Sequence, residues 1–161
     1  MKLTRGAHLF YVDASMNATT PSWYLVGKDI EDMSVDLAPD TETIKNILDE
    51  VSVRHNGYEP SISADPFYAD TGDALYTPLK DIAMNRKKGD DCKTKYLEVI
   101  IEDTSSSSHA AWQEDCYLVP QSVGGDTSGM QIPFQVLPAG NRKAGTASIS
   151  AQKVPSFTPA S

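Results

Sequence analysis

The chain has 161 residues, with ten glycines, ten prolines and a formal net charge of −8. Its length predicts a single domain with a real core, and its short alternating apolar runs favour a β-rich domain over a helical bundle. The acidic balance argues against direct binding of nucleic acid, because affinity for phosphates is built from Lys and Arg.

The N-terminal region predicts strands but no targeting segment. Its apolar run extends only from His8 to Val12, so we expect neither a signal peptide nor a membrane anchor. Strands are expected at 7–12 and 23–27. From Asp32 to Leu37 apolar and polar residues alternate strictly, which predicts a half-buried strand with an acidic outer face.

Residues 39–70, the predicted arm, are too long and too acidic for an ordinary connection inside a small domain. Residues 43–50 are compatible with one or two helical turns and are expected to form a flexible tip. Asn56-Gly57 fits either a type I′ turn or a bulge within a long strand. Around 58–65, alternate residues predict a second strand with an acidic outer face. Because the arm has no obvious core-facing side, we expect a neighbouring subunit to bury it.

The remaining elements follow from the period of the apolar residues. A helix is predicted at about 72–88, with Pro78 near its start and Gly89 as its stop. The strand at 95–101 is expected to face inward with Leu97, Val99 and Ile101, and outward with Tyr96, Glu98 and Ile100. Further strands are predicted at 112–119, 130–137 and 145–151. The single domain thus covers 1–153, and 154–161 is expected to be a flexible tail.

The residue patterns of common catalytic and metal sites are missing from the sequence. The three histidines are scattered, Cys92 and Cys116 are isolated, and no phosphate-binding loop is present. The segment 125–129 resembles the nucleophile segment of serine proteases, but its order G-D-T-S-G is wrong and a Gly-rich strand connection is expected. We therefore predict no catalytic residues, no cofactor, no metal and no enzyme activity.

Two segments of the sequence resemble a known protein family. They are VRHNGYEPSISADPFYAD at 53–70 and GGDTSGMQIPFQVLPAGNRKAGT at 124–146. Together with the predicted helix between them, they resemble the major tail tube proteins of tailed bacteriophages and of prophages in Gram-positive hosts, which are siphovirus-like major tail proteins. The similarity extends from the first strand to Ala151.

The resemblance implies an antiparallel β-sandwich or open barrel with one flanking α-helix and a long protruding hairpin arm. It implies hexameric rings that stack into the hollow tail tube, through which DNA passes during ejection without specific binding. The implied partners are further copies of the chain, the tape measure protein and the tail-tip and terminator proteins. The implied location is the virion tail, after assembly in the cytoplasm of the host bacterium.

The resemblance also suggests which residues act. In that family the long hairpin contacts an adjacent ring, and this role maps onto Asp40, Glu42, Ile44, Ile47, Leu48, Asp49 and Glu50. A second acidic set on the flanking strands is expected to face the lumen, where like charge would keep DNA from adhering. This set is Asp32, Asp36, Glu59 and Asp65.

Three alternatives remain open from the sequence. The chain could be another virion component with a similar sandwich, either a capsid decoration protein or a tail-completion protein. It could also be the tube protein of a type VI-like secretion system. The third alternative is a small β-domain enzyme that acts on carbohydrate or peptide, based on the Asp and Glu content and the loop at 125–129. It would require a deep pocket with a carboxyl group of raised pKa.

Overall fold

A computed structural model describes residues 2–160. The fold is mainly β and antiparallel with one flanking helix, which confirms the predicted fold class. Within the described residues the elements are a 3₁₀ turn (Arg5–Ala7), β1 (His8–Asp13), β2 (Trp23–Leu25), β3 (Val35–Asp36), β4 (Pro39–Lys45), β5 (Val51–Tyr58), β6 (Ser61–Ala64), α1 (Tyr76–Met84), a 3₁₀ turn (Gly89–Cys92), β7 (Lys93–Ile100), β8 (His109–Pro120), β9 (Gly124–Asp126), β10 (Gly129–Gln131), β11 (Phe134–Ile149) and β12 (Pro155–Pro159).

Most strands belong to one curled sheet that forms a half-barrel. Its order is β2-β1-β7-β8-β11-β6-β3, and β12 pairs with β11 beside this path. Strand β11 pairs with β6 through its first residues and with β12 through its last. Its pairing with β8 shifts register on either side of Gly140. Such irregularities bend and twist a strand. The long strand β11 can therefore pair with β6 near its start and with β12 near its end.

Both faces of this sheet are covered. The larger core contains Tyr96 of β7 together with Leu79 and Ile82 of α1. The smaller core contains Leu97 and Val99, which lie on the opposite face because successive residues of a strand alternate in direction. The helix therefore covers one face of the sheet, and the smaller core on the other face is formed between strands of the curled sheet itself, including Phe157 of β12.

The prediction that Tyr96 faces outward is wrong. Its side chain is 1% exposed, and its ring stacks on Phe10 with the ring centroids 5.2 Å apart. Alternation in a sequence separates the two faces of a strand, but it does not reveal that both faces are buried. Leu97 and Val99 are buried as predicted.

The helix is shorter than predicted and covers Tyr76–Met84. Pro78 lies in its first turn, where a missing backbone N–H has no intrahelical partner to lose. Arg86 has a φ of 53°, a left-handed conformation that stops the helix before Gly89. The basic residues that follow the helix therefore lie beyond its last turn.

The C-terminal residues form a strand where a flexible tail was predicted. Strand β12 pairs with β11 from Ile149 with Pro155 to Gly145 with Pro159. Phe157 packs against the smaller core, and the Tyr11 hydroxyl donates a hydrogen bond of 2.9 Å to the carbonyl oxygen of Lys153. A Pro- and Ser-rich composition is compatible with an edge strand, since Pro needs no hydrogen-bond partner for its nitrogen.

Candidate functional site: a projecting hairpin and a groove at its root

Residues 39–58, called the hairpin below, stand apart from the main sheet. Strands β4 and β5 pair with each other, and in residues 2–160 they pair with no other strand. A two-stranded ribbon on its own is only marginally stable in water. The hairpin therefore has the character of a segment that a partner completes.

The hairpin differs from the predicted arm in its extent and in its tip. It ends at Tyr58, because the chain joins the main sheet as β6 from Ser61 onward instead of continuing the arm to residue 70. Residues 43–50, expected to be a flexible tip or one or two helical turns, are instead the end of β4, a tight turn held by hydrogen bonds of Asn46, and the residue before β5. The ladder skips Asn56, which confirms the bulge and not the type I′ turn.

Residues 46–50, called the hairpin turn below, are organised by Asn46. Its Oδ1 accepts hydrogen bonds from the backbone N–H of Leu48 at 2.9 Å and of Glu50 at 3.0 Å. Its carbonyl oxygen accepts a third, from the Asp49 N–H at 3.1 Å. Asn stabilises turns in this way through its own side chain. The hairpin turn thus has a defined shape that does not depend on packing.

The hairpin presents aliphatic side chains to solvent. At the hairpin turn, Ile47 is 100% exposed and Leu48 is 71% exposed. Val51 and Val53 of β5 are 64% and 71% exposed, and because they are two residues apart they share one face. Removing these side chains from water would be favourable, which is typical of a surface that binds another protein.

The polar residues predicted for the arm are all exposed: Asp40, Glu42, Asp49 and Glu50. Ile44, also predicted, is half-buried. Glu42 pairs with Arg54 at 3.5 Å and Asp49 with Lys45 at 3.2 Å. Exposed pairs of this kind contribute about 0–1 kcal/mol each, so they add little to the stability of the hairpin.

The four acidic residues predicted to face a lumen are exposed and lie near one edge of the main sheet: Asp32, Asp36, Glu59 and Asp65. Asp36 belongs to β3, the last strand in the sheet order, and β3 pairs with β6. Glu59 and Asp65 flank β6 in the sequence. The edge formed by β3 and β6 is therefore acidic, and whether it lines a lumen stays a prediction.

A groove with a volume of about 840 Å³ opens at the root of the hairpin. This size lies within the range of roughly 300–1,000 Å³ that is usual for ligand pockets. Its apolar wall is made by Leu3, Met33, Val35, Leu37, Tyr58 and Pro60. Its polar floor is made by Arg5, His8, Tyr96, Glu98, Glu114 and Arg142.

Glu114 is the most heavily bonded group of this floor. Its Oε1 accepts hydrogen bonds from the Tyr96 hydroxyl at 2.7 Å and from Arg142 Nη1 at 3.0 Å. Its Oε2 accepts one from the Gly140 N–H at 3.1 Å, next to the register shift of β11. Burial, together with the hydrogen bond to Glu114, raises the pKa of Tyr96, so this phenol stays protonated.

Glu98 links the floor of the groove to the N-terminal residues. Its Oε2 lies 3.0 Å from His8 Nε2, and its Oε1 lies 3.7 Å from Arg142 Nη2. Arg5 donates hydrogen bonds of 2.9 Å to the carbonyl oxygens of His8 and Met33. The segment before β1 is thus held against the residues that lead into β3.

The accessible charges of the groove are cations, carried by Arg142 and by the exposed Arg5. The side chains of Glu98 and Glu114 are 12% and 10% exposed, whereas that of Arg142 is 43% exposed. Although burial opposes its charge, the hydrogen bond to Glu114 and the charges around it raise the pKa of Arg142. A guanidinium in this position can donate hydrogen bonds to a carboxylate or to backbone carbonyls.

Sequence reasoning did not find this groove. Its floor combines Glu98 of β7, Glu114 of β8 and Arg142 of β11, and the pairing register that brings them together is not visible in a single sequence. The available signal was limited to Glu98 and Glu114 in two predicted strands, with Glu98 expected to face outward, because Arg142 lies between the strands predicted at 130–137 and 145–151.

The other candidate motifs of the sequence have structural roles. The G-D-T-S-G segment connects β9 and β10 as a Gly-rich ribbon, as predicted. A Cβ on Gly125, whose φ is 128°, would lie 2.2 Å from the Gly129 carbonyl oxygen. Cys92 and Cys116 are free and buried, and burial raises the pKa of both thiols.

Residues 2–160 contain neither a cluster of metal ligands nor a helix suited to crossing a membrane. No group of three or more His, Cys, Asp or Glu residues in this range is placed to hold a metal ion. Nor does a helix in this range have both the length and the apolar character needed to span a membrane.

Neither a family model nor a curated protein matches the chain. The observations that bear on function are therefore the hairpin, the groove and the sequence segments 53–70 and 124–146.

Proposed function

We propose that this protein is a structural component of a phage tail. In this proposal it forms hexameric rings that stack into the hollow tail tube, the conduit for DNA during ejection. The observation that carries the proposal is the hairpin, which projects from the sheet and presents the fully exposed Ile47 on a preformed turn. Burial of these apolar side chains against another molecule would be favourable, because it removes them from water.

The distribution of charge supports a conduit. The chain carries a net charge of −8, and its acidic residues include a set along the β3–β6 edge. A wall of like sign would let DNA pass without adhering. We propose that Asp32, Asp36, Glu59 and Asp65 face the lumen in the assembled tube.

The groove favours recognition over catalysis. Its two carboxylates are already engaged, Glu114 by three hydrogen bonds and Glu98 by His8 and Arg142. A general acid or base would need a carboxyl group free to meet a substrate. The proposal therefore includes no enzymatic step, no cofactor and no metal.

The proposed partners follow from the same assembly. They are further copies of the chain within and between rings, the tape measure protein inside the tube, and the tail-tip and terminator proteins at its ends. Assembly would take place in the host cytoplasm, and the product would be part of the virion.

Electron microscopy of the concentrated, purified protein in negative stain tests the proposal. We expect hollow rings or tubes with a central channel. Particles that stay small and compact at every concentration would contradict a self-assembling tube protein and favour a decoration or tail-completion role.

A variant with Ile44, Ile47 and Leu48 all replaced by Ser tests the role of the hairpin. We expect it to leave monomers or single rings that do not stack, because the apolar part of the contact is gone. A matched control replaces three exposed apolar residues elsewhere, Met84, Val123 and Val154, with Ser. Normal tubes from the hairpin variant would refute its role in stacking.

A further inference from the structure

The hairpin turn and the groove are complementary in their apolar and charged residues. We propose that the groove of one copy receives the hairpin turn, residues 46–50, of a second copy. This inference rests on the proposed function, in that it names the contact by which copies assemble. It assigns a recipient surface to the hairpin, built from the N-terminal residues, the residues around β3 and the polar floor.

The hairpin cannot fill the groove of its own chain. Leu37 and Tyr58 at its root belong to the groove wall, whereas Ile47 lies beyond all seven residues of β4. At about 3.3 Å per residue, a strand of this length places the turn roughly 23 Å from the root. The occupant must therefore come from another molecule, and every copy supplies the same turn.

The apolar parts of the two surfaces are complementary. Ile47 and Leu48 project from the turn, and the groove offers an aliphatic and aromatic wall that includes Leu37 and Tyr58, which are 53% and 59% exposed. The turn is already held by the hydrogen bonds of Asn46. A preformed turn loses little conformational entropy on binding, which increases the affinity of the contact.

The charges of the two surfaces are complementary as well. Asp49 and Glu50 follow the two apolar residues, and the floor of the groove exposes the Arg142 guanidinium. Arg142 Nη2 lies 3.7 Å from Glu98 Oε1, which is longer than a hydrogen bond, so this nitrogen is free to donate. An incoming carboxylate from the turn can accept that hydrogen bond.

The contact joins two different surfaces of the chain. A hairpin turn on one copy and a groove on the next form a heterologous, head-to-tail interface. Such an interface leaves a free groove and a free turn at the ends of any pair, so it propagates into rings or filaments. An isologous dimer would instead use one surface twice.

Cysteine cross-linking between two full-length variants tests this contact. One variant is Ile47→Cys on the turn, and the other is Leu37→Cys in the groove wall. The matched control pairs Ile47→Cys with Met130→Cys, which lies outside the groove and is 45% exposed, similar to Leu37. All three positions are exposed, and the native Cys92 and Cys116 are buried.

Under mild oxidation we expect a disulfide-linked heterodimer in the mixture of Ile47→Cys and Leu37→Cys. We expect no such heterodimer in the control mixture of Ile47→Cys and Met130→Cys. Equal yields in the two mixtures, or a dominant Ile47→Cys homodimer, would overturn the contact. Imaging the wild-type protein separates this proposal from the tube itself. Tubes without the cross-link would refute the proposed contact but support the tube. The cross-link without tubes would support the contact but count against the tube.

A second measurement does not depend on oxidation. Ile47→Ser/Leu48→Ser removes the apolar side chains of the turn but keeps the groove, whereas Leu37→Glu blocks the groove but keeps the turn. Each variant alone should stay as monomers or single rings, and an equal mixture should form one-to-one complexes of the two in sedimentation. A mixture that sediments like the separate variants, while the wild type associates further, would overturn the proposal.

Discussion

Arg142 holds together the floor of the groove, because it bridges Glu98 and Glu114. Replacement by Met keeps part of the aliphatic contact but leaves two largely buried carboxylates without their cation. Since Arg142 is 43% exposed, we expect a loss of about 2–3 kcal/mol in the free energy of unfolding, below the roughly 3–5 kcal/mol typical of fully buried pairs. Urea denaturation measures this loss.

Arg54→Met is the matched control, because Arg54 pairs with Glu42 on the exposed hairpin. We expect this variant to change the free energy of unfolding by at most about 1 kcal/mol. Adding Glu114→Gln to Arg142→Met should recover part of the lost stability, because one unpaired charge is removed. An Arg142→Met protein as stable as Arg54→Met would show that the bridge contributes nothing.

Gly145 permits the close approach of β12 to β11. A Cβ at this position would lie 2.2 Å from the Thr158 carbonyl oxygen and 2.8 Å from Pro159 Cα, both of them backbone atoms. We expect Gly145→Ala to reduce stability by about 1–3 kcal/mol, as overpacking commonly does. Hydrogen exchange should show faster deuterium uptake in Pro155–Pro159 and little change in β7.

Gly6→Ala is the control for that substitution, because its added Cβ would come no closer than 3.9 Å to the nearest non-neighbouring atom, Thr4 Oγ1. We expect it to behave like the wild type in both measurements. Wild-type protection of β12 in Gly145→Ala would contradict this prediction. It would show that β11 and β12 can accommodate the added Cβ without losing their pairing.

The hairpin is the element that should change most on assembly. Its backbone hydrogen bonds lie in a two-stranded ribbon with exposed side chains, so we expect its amides to exchange rapidly in the dispersed protein. Burial by a second copy should slow that exchange. Hydrogen exchange followed by mass spectrometry, before and after assembly, measures the difference.

Strands β7 and β8 provide the internal reference for this experiment, since they lie at the centre of the sheet. Their amides should be protected in both states. A hairpin already protected in the dispersed protein would contradict an element completed by a partner, and unchanged exchange in assembled protein would place the interface elsewhere.

Elements with a strong local pattern could be predicted from the sequence. Alternation correctly identified the strand around Leu97 and Val99, and the strand predicted around 58–65 contains β6 with its buried Ile62 and Ala64. Each of these assignments depends on residues within one strand. The long acidic segment was also recognised as a protruding element, because nothing within it suggested a core-facing side.

Features that depend on distant residues could not be predicted in this way. Burial of Tyr96 requires the core formed with α1, and β12 becomes a strand because β11 extends far enough to pair with it. The groove requires the registers of three strands at once. In each case the decisive contacts join residues far apart in the chain, which local periodicity does not report.

The proposed assembly would bring together copies that each carry a net charge of −8. Their mutual repulsion opposes association, and added salt screens it, because the Debye length falls from about 10 Å at 0.1 M to about 3 Å at 1 M. The apolar part of the contact is not screened. We therefore expect the assembled fraction, measured by sedimentation, to rise as salt increases over that range.

The ion pair proposed between the hairpin turn and Arg142 would respond in the opposite direction, so the sign of the salt effect reveals which contribution dominates. Asp49→Asn/Glu50→Gln separates the two, since it removes the carboxylates and keeps Ile47 and Leu48. If apolar burial dominates, this variant assembles at lower salt than the wild type, because its copies repel less. Weaker assembly of the variant, with wild-type assembly declining in salt, would show that the charged contact dominates.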